Sequence, residues 1–170
     1  MEHFDVGIVG AGRGASVAVY VLAQAGLSVV MFERGDAQPG SKAMFGGVLY
    51  TTILQRLFPD FYQEEQCIER AVIRKRVSLL AKADEISVSF RYAEYPLPYY
   101  NHSFTALRAR FDVWLTGKAE EAGAVLITST VMDEVLKKDD QIIGVRVRRE
   151  GGEVPANVVI AADSANSLLA

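Results

Sequence analysis

Three glycines, a small residue and an acid near the amino terminus are arranged as a phosphate-binding turn requires. Gly10, Gly12 and Ala15 stand in a Gly-x-Gly-x-x-Ala pattern with Arg13 and Gly14 inside it. Glu33, with Arg34 beside it, follows Gly12 at the distance of about 20 positions that a dinucleotide site needs. Gly10 permits a tight turn, and Gly12 lets the main chain approach a diphosphate with no Cβ in the way. A small residue at position 15 allows a helix to pack closely on the preceding strand. A helix opening at this turn offers free N–H groups and a partial positive charge to phosphates. Glu33 can accept hydrogen bonds from ribose hydroxyls and would repel a 2′-phosphate, which favours the ADP moiety of FAD or NAD over NADP. The bland alternative is a Gly-rich turn that only joins strand to helix, and the acid at position 33 weighs against it. The candidate set from these residues is Gly10, Gly12, Arg13, Gly14, Ala15, Glu33 and Arg34.

The flanking sequence must build the elements that hold this set. Phe4–Val9 is a mostly apolar run of strand length. Ala15, Ala18, Val19 and Leu22 then fall at helical spacing, and Val17 and Val21 predict a helix buried on most faces. Gly26 sits where a helix C-cap belongs, and Ser28–Phe32 is the next strand, ending at Glu33. Strand, Gly turn, helix, strand and acid form the opening half of a βαβ unit. A Gly/Pro/Ser-rich loop (34–47) precedes a predicted helix around Val48–Leu57, closed before Pro59. Val72–Tyr92 reads as β structure, with Ile86, Val88 and Phe90 alternating with polar residues. Phe111, Trp114, Leu115, Ala119 and Ala122 form a helical stripe ending at Gly123, and Ala124–Thr128 is an apolar strand. Ile143, Val145 and Val147 alternate with Arg146 and Arg148 beyond the Asp139-Asp140 turn, predicting an antiparallel crossover. Asn157–Ala162 is a continuous apolar run into Asp163, predicting a fully buried parallel strand. The expected fold is α/β: a Rossmann-like domain over residues 1–170, incomplete, with a parallel central sheet and an antiparallel β crossover.

Composition removes whole classes of function. In 170 residues, half are apolar and 23% are charged, enough to bury a core. Lysine and arginine number 18 against 21 acids, for a net charge of −3, so no general electrostatic case for nucleic-acid binding exists. The single cysteine, Cys67, excludes an intramolecular disulfide and any cysteine-ligated cluster built by this chain alone. His3 and His102 lack metal-ligand spacing, so no metal is expected. The apolar stretch from Val6 to Phe32 is broken by five glycines and follows an acidic tip, unlike a signal peptide or a spanning helix. The expected location is the cytoplasm, with attachment to a membrane periphery as the alternative.

The Gly turn, together with the run Gly40-Ser41-Lys42-Ala43-Met44-Phe45-Gly46-Gly47-Val48-Leu49-Tyr50, resembles FixC-type flavoproteins. These are relatives of electron-transfer-flavoprotein:quinone oxidoreductase and of geranylgeranyl reductases. Leu107–Leu115, Val131 and Val158–Asp163 match as well, so the resemblance spans essentially the whole chain. It implies an FAD cofactor. It also implies that Arg108 contacts the pyrophosphate or ribityl region, that Asp163 bonds a ribityl hydroxyl, that Gly46 and Gly47 let the backbone lie near the isoalloxazine, and that the Val131 backbone touches the adenine. Without the family, Arg108 is equally a solvated strand-end arginine, Asp163 a helix N-cap, Gly46-Gly47 an ordinary loop and Val131 plain core. The chain departs from the family pattern at Arg13, where proline is usual, and at Ala15 and Ser164, where glycine is usual. At Ser164 a side chain is unfavourable if the backbone needs a positive φ.

The resemblance further implies electron transfer from an electron-transfer flavoprotein through FAD toward a quinone or a ferredoxin-like partner. FixC-type chains continue into a substrate or quinone domain, so a truncated member is expected here. The alternatives are a non-catalytic nucleotide-binding remnant and a fragment with geranylgeranyl-reductase-like chemistry. No catalytic side chain is nominated, since no Ser-His-Asp set or carboxylate pair is present. Arg70, Arg74, Lys75 and Arg76 read as a solvated strand face, and the Tyr92–Tyr100 aromatic loop as packing or a pocket border.

Overall fold

The computed structural model describes residues 3–35, 46–65, 67–91, 103–164 and 167. Its elements in chain order are β1 (Phe4–Val9), α1 (Arg13–Gln24), β2 (Val29–Phe32), β3 (Gly46–Tyr50), α2 (Thr52–Leu57), a 3-10 turn (Phe61–Gln63), β4 (Arg70–Ala71), β5 (Arg74–Leu80), β6 (Glu85–Arg91), β7 (Ser103–Leu107), α3 (Arg108–Glu121), β8 (Val125–Ile127), β9 (Met132–Lys138), β10 (Gln141–Val147) and β11 (Glu153–Ala161). Contacts divide them into two units, residues 1–44 with 108–170, and residues 45–107.

The first unit is a six-stranded sheet in the order β8-β2-β1-β11-β10-β9. The strands β8, β2, β1 and β11 run parallel, and β10 and β9 continue the sheet antiparallel. This is the expected α/β class with its antiparallel crossover. On one face, Val6, Ile8, Val29 and Met31 pack with Ala15 and Val19 of α1 and Ala119 of α3. A second cluster joins Phe4, Val9, Val30 and Phe32 to Met132, Val145 and Val147 from the antiparallel arm. Interior strands buried on both sides read as continuous apolar runs for this reason.

Three expectations for this unit need correction. Helix α1 buries Ala15, Ser16 and Val19 but exposes Val21, because the sheet and α3 cover only part of its circumference. Strand β11 is parallel to β1, yet Val158 is exposed; the helical layer reaches Ile160 of this strand and Ala162 just after it. On β10 a register shift between Ile142 and Gly144 breaks the alternation, so Val145 and Val147 are buried while Ile143 is exposed.

The second unit holds a three-stranded antiparallel sheet, β3-β7-β4, and the hairpin β5-β6. Residues 48–50, expected to start a helix, form the end of β3, pairing Val48 with Thr105 and Tyr50 with Ser103. Tertiary pairing overrides local pattern here, and the helix begins only at Thr52. Val77 opposes Val88 and Leu79 opposes Ile86 across the hairpin, and all four are exposed along with Phe90. Arg70, Arg74 and Arg76 are exposed as expected, while Lys75 lies 4.6 Å from the centre of the Tyr50 ring. Residues 40–45 of the family-like run and the Tyr92–Tyr100 loop lie outside the described residues. Among the described residues no helix is long and apolar enough to cross a membrane, and no group of three His, Cys, Asp or Glu side chains lies together.

Candidate functional site

The carboxyl ends of the parallel strands meet around the turn between β1 and α1. Gly10 donates its N–H to Phe32 O at 2.7 Å, and Ala162 donates to Val9 O at 2.9 Å. Gly10 has φ +99°, and a Cβ built there would lie 2.6 Å from Ala162 O and 3.2 Å from Asp163 Cα. Only glycine meets both demands, so this residue lets the turn press against the end of β11 and brings Asp163 to the site. At Gly12 the situation is opposite. Its φ is −73°, and a Cβ would meet no atom within 4 Å. The missing side chain leaves open space at the mouth of α1. Gly12 is the N-cap of that helix, and no side chain caps it. Ser16 N–H bonds Gly12 O at 2.9 Å, so the first amides, at Arg13, Gly14 and Ala15, have no partner inside the helix. Arg13 and Gly14 are exposed, while Ala15 is buried against the sheet and fills the place of the third glycine.

Glu33 stands at the end of β2 and does something that spacing did not reveal. Its Oε2 accepts the Ala11 N–H at 2.9 Å and its Oε1 accepts the Gly35 N–H at 2.7 Å. The carboxylate thus clamps the Gly turn to the loop after β2, and each oxygen retains a lone pair for a ribose hydroxyl. Backbone bonds carry the segment before β9 to the same place: Ser129 N–H to Gly35 O at 2.7 Å and Thr130 N–H to Glu33 O at 2.9 Å. Val131 follows directly, its carbonyl accepting from Arg148 N–H at 3.0 Å. Arg34 is exposed beside Glu33.

Gly10, Gly12, Arg13, Gly14, Ala15, Glu33, Arg34, Val131 and Asp163 therefore gather at one end of one sheet. Arg108 opens α3 in the same unit, its Nη2 donating to Asp112 Oδ2 at 2.8 Å. Gly46 and Gly47 belong to the other unit, on β3, paired with Leu107 and Ala106. The departure at Ser164 has the consequence expected of it: its φ is +82°. Sequence reasoning missed Ser16, Asp112 and Thr116, three polar residues buried where α1 and α3 meet. The one available signal was the Arg108/Asp112 spacing of a helical ion pair.

An uncapped helix start, a glycine whose absent Cβ leaves room, and a carboxylate at the end of the next strand together fit an adenosine diphosphate group. Fold and site define a dinucleotide-binding α/β domain. The chain belongs to the FAD dependent oxidoreductase family, whose sequence model matches residues 5–170. Protein FixC of Azotobacter vinelandii is 41% identical over 99% of this chain, and 38% of that protein is covered. The probable electron transfer flavoprotein-quinone oxidoreductase YdiS of Escherichia coli is 38% identical with the same two coverages. Among solved structures, a geranylgeranyl bacteriochlorophyll reductase-like protein from Thermoplasma acidophilum superposes with a TM-score of 0.77 at 26% identity, over 96% of this chain and 40% of that one. A halogenase, PltM, in complex with FAD shares the fold at 17% identity with a TM-score of 0.75, over 98% of this chain and 35% of that one. The resemblance to FixC-type flavoproteins is thereby borne out, and FAD is the cofactor of the family. This chain spans 38% of the length of the curated relatives named here.

Proposed function

We propose that this chain is the FAD-binding part of a FixC-type oxidoreductase. The observation that carries the reading is the turn at residues 10–15: pressed onto β11 at Gly10, open at Gly12, and clamped by Glu33. When bound, FAD supplies the electron-accepting and electron-donating chemistry, and the protein supplies binding and orientation. The amides of Arg13, Gly14 and Ala15 and the positive end of α1 bind the diphosphate. Glu33 takes the ribose hydroxyls, with Arg34 at its flank, and the Val131 backbone borders the adenine. Arg108 grips an anionic or hydroxylated part of the cofactor, and Asp163 accepts from a ribityl hydroxyl. Gly46 and Gly47 are assigned to the isoalloxazine on resemblance alone.

In the longer proteins the electrons would come from an electron-transfer flavoprotein and pass to a quinone, with a ferredoxin-like protein as the alternative acceptor. The name of the probable electron transfer flavoprotein-quinone oxidoreductase relative supports this pairing of flavoprotein and quinone. A quinone acceptor favours work at a membrane periphery, and the exposed apolar face of β5-β6 beside Arg74 and Arg76 is consistent with that. The test is titration of the purified chain with FAD, followed by flavin fluorescence. Wild type should bind, Gly12→Val should not, and Glu33→Ala should bind more weakly. Wild-type protein that takes up no flavin would overturn the reading.

A second reading, a non-catalytic remnant that keeps the fold, is favoured by the positive φ of Ser164 beside the site. Electron transfer from a reduced electron-transfer flavoprotein to a quinone analogue by this chain would rule it out.

A further inference from the structure

A buried polar path leads away from the Gly turn, and the binding reading above does not use it. Ser16 N–H bonds Gly12 O at 2.9 Å. The Ser16 hydroxyl lies 3.1 Å from the Thr116 hydroxyl, and Thr116 donates to Asp112 O at 2.9 Å. Thr116 has one hydroxyl hydrogen, and it is spent on Asp112, so Ser16 is the donor to Thr116. Asp112 then accepts from Arg108 Nη2 through Oδ2 at 2.8 Å. The Ser16–Thr116 contact thus ties α1 to α3 beside the Arg108–Asp112 pair, with the Thr116 bond ending on the Asp112 main-chain oxygen and the Arg108 bond on its carboxylate.

The Arg108–Asp112 pair beside this contact is unbalanced. The Asp112 side chain is 2% exposed, yet its Oδ1 has no hydrogen-bond partner. Arg108 is one-third exposed, and its Nε is buried and unpartnered. An arginine held only to satisfy a carboxylate would make the forked, two-bond pairing that its geometry allows. Here one bond joins the guanidinium to the carboxylate, and the Nε that would complete the fork makes none. A buried carboxylate that spends its charge this way holds a direction rather than closing a pair.

We infer that Asp112 is a positioning residue for the cofactor. It holds Arg108 in a fixed orientation at the start of α3, a helix tied to α1 by the Ser16 and Thr116 hydroxyls, so that the exposed part of the guanidinium meets an oxyanion of the dinucleotide. The inference rests on the FAD reading above and goes beyond it, assigning a role to Asp112.

The test is a double-mutant cycle on the 170-residue chain, with the FAD dissociation constant measured by fluorescence titration and folding checked by circular dichroism. Asp112→Asn keeps the shape and removes the charge. It should weaken FAD about tenfold, the lower end for a lost hydrogen bond to a charged group. In an Arg108→Ala background the same change should cost nothing further, because the effect passes through the arginine. The dependence of affinity on salt should fall in Asp112→Asn as it does in Arg108→Ala, a change that a purely structural role would not produce. Should Asp112→Asn fail to fold, Asp112→Ser carries the test, weakening FAD severalfold only where Arg108 is present. Affinity within twofold of wild type, or an equal loss with and without Arg108, overturns the inference and leaves the binding reading standing. Wild-type protein that binds no FAD overturns both.

Discussion

Replacing Gly10 with alanine should damage the fold, whereas the same change two residues later at Gly12 should damage only binding. At Gly10 the new Cβ would stand 2.6 Å from Ala162 O and 3.0 Å from Ala162 C, both main-chain atoms. They cannot swing aside, because Ala162 N–H is bonded to Val9 O and β1 is in register with β11 through Val9 and Ala161. Forcing the strand ends apart costs about 1–3 kcal/mol, as overpacking does elsewhere. Holding alanine at φ +99° adds about 1–2 kcal/mol. The combined loss, about 2–5 kcal/mol, is a large share of the roughly 5–15 kcal/mol that holds a domain together. At roughly 2–4 °C per kcal/mol for a chain of this size, Tm should drop by roughly 10 °C. For Gly12→Ala, φ is −73° and nothing lies within 4 Å of the added methyl, so stability should change by no more than a cap substitution, about 1 kcal/mol. The methyl would nonetheless occupy the space a diphosphate needs, and FAD affinity should fall at least about tenfold. Thermal unfolding by circular dichroism and flavin titration read the two effects separately. A Gly10→Ala protein as stable as wild type, or a Gly12→Ala protein as unstable as Gly10→Ala, would refute this account of the turn.

Three further outcomes follow from particular residues. Ser164→Gly should raise stability by about 0.5–1 kcal/mol in urea unfolding, since it relieves a side chain held at φ +82°. The hydrogen bond from the Ser28 hydroxyl, then that from the Ser28 amide, hold the Asp5 carboxyl below its usual range. Because the folded form is the stronger acid, this contribution is complete above about pH 4 and disappears as pH falls through the lowered value. A Tm–pH series should therefore separate wild type from Asp5→Asn near neutrality and bring them together at low pH. Val145→Ala, in the core between β10 and the parallel sheet, should cost about 2 kcal/mol, while Val77→Ala on the exposed hairpin should stay within about 0.5 kcal/mol. Equal losses at these two positions in chemical denaturation would contradict the burial assigned to them.

The amino-acid sequence alone determined the opening βαβ unit. There, a turn that only glycine can make, a helix at 3.6 spacing and an acid at the next strand's end are local facts that neighbouring residues settle among themselves. It also determined that Ala15 could stand in for glycine and that Ser164 would sit badly, because both depend on one residue's own stereochemistry. What required the tertiary structure were the relations between segments far apart in the chain. Val48–Tyr50 became a strand because β7 lay alongside to pair with it. Glu33 proved to be a clamp on Ala11 and Gly35. Ser16 met Thr116 a hundred residues away, making a polar path that no spacing rule describes. Local steric and hydrogen-bonding preferences are written in consecutive residues, whereas the partners of a buried polar atom exist only once the sheet and its helices have closed around it.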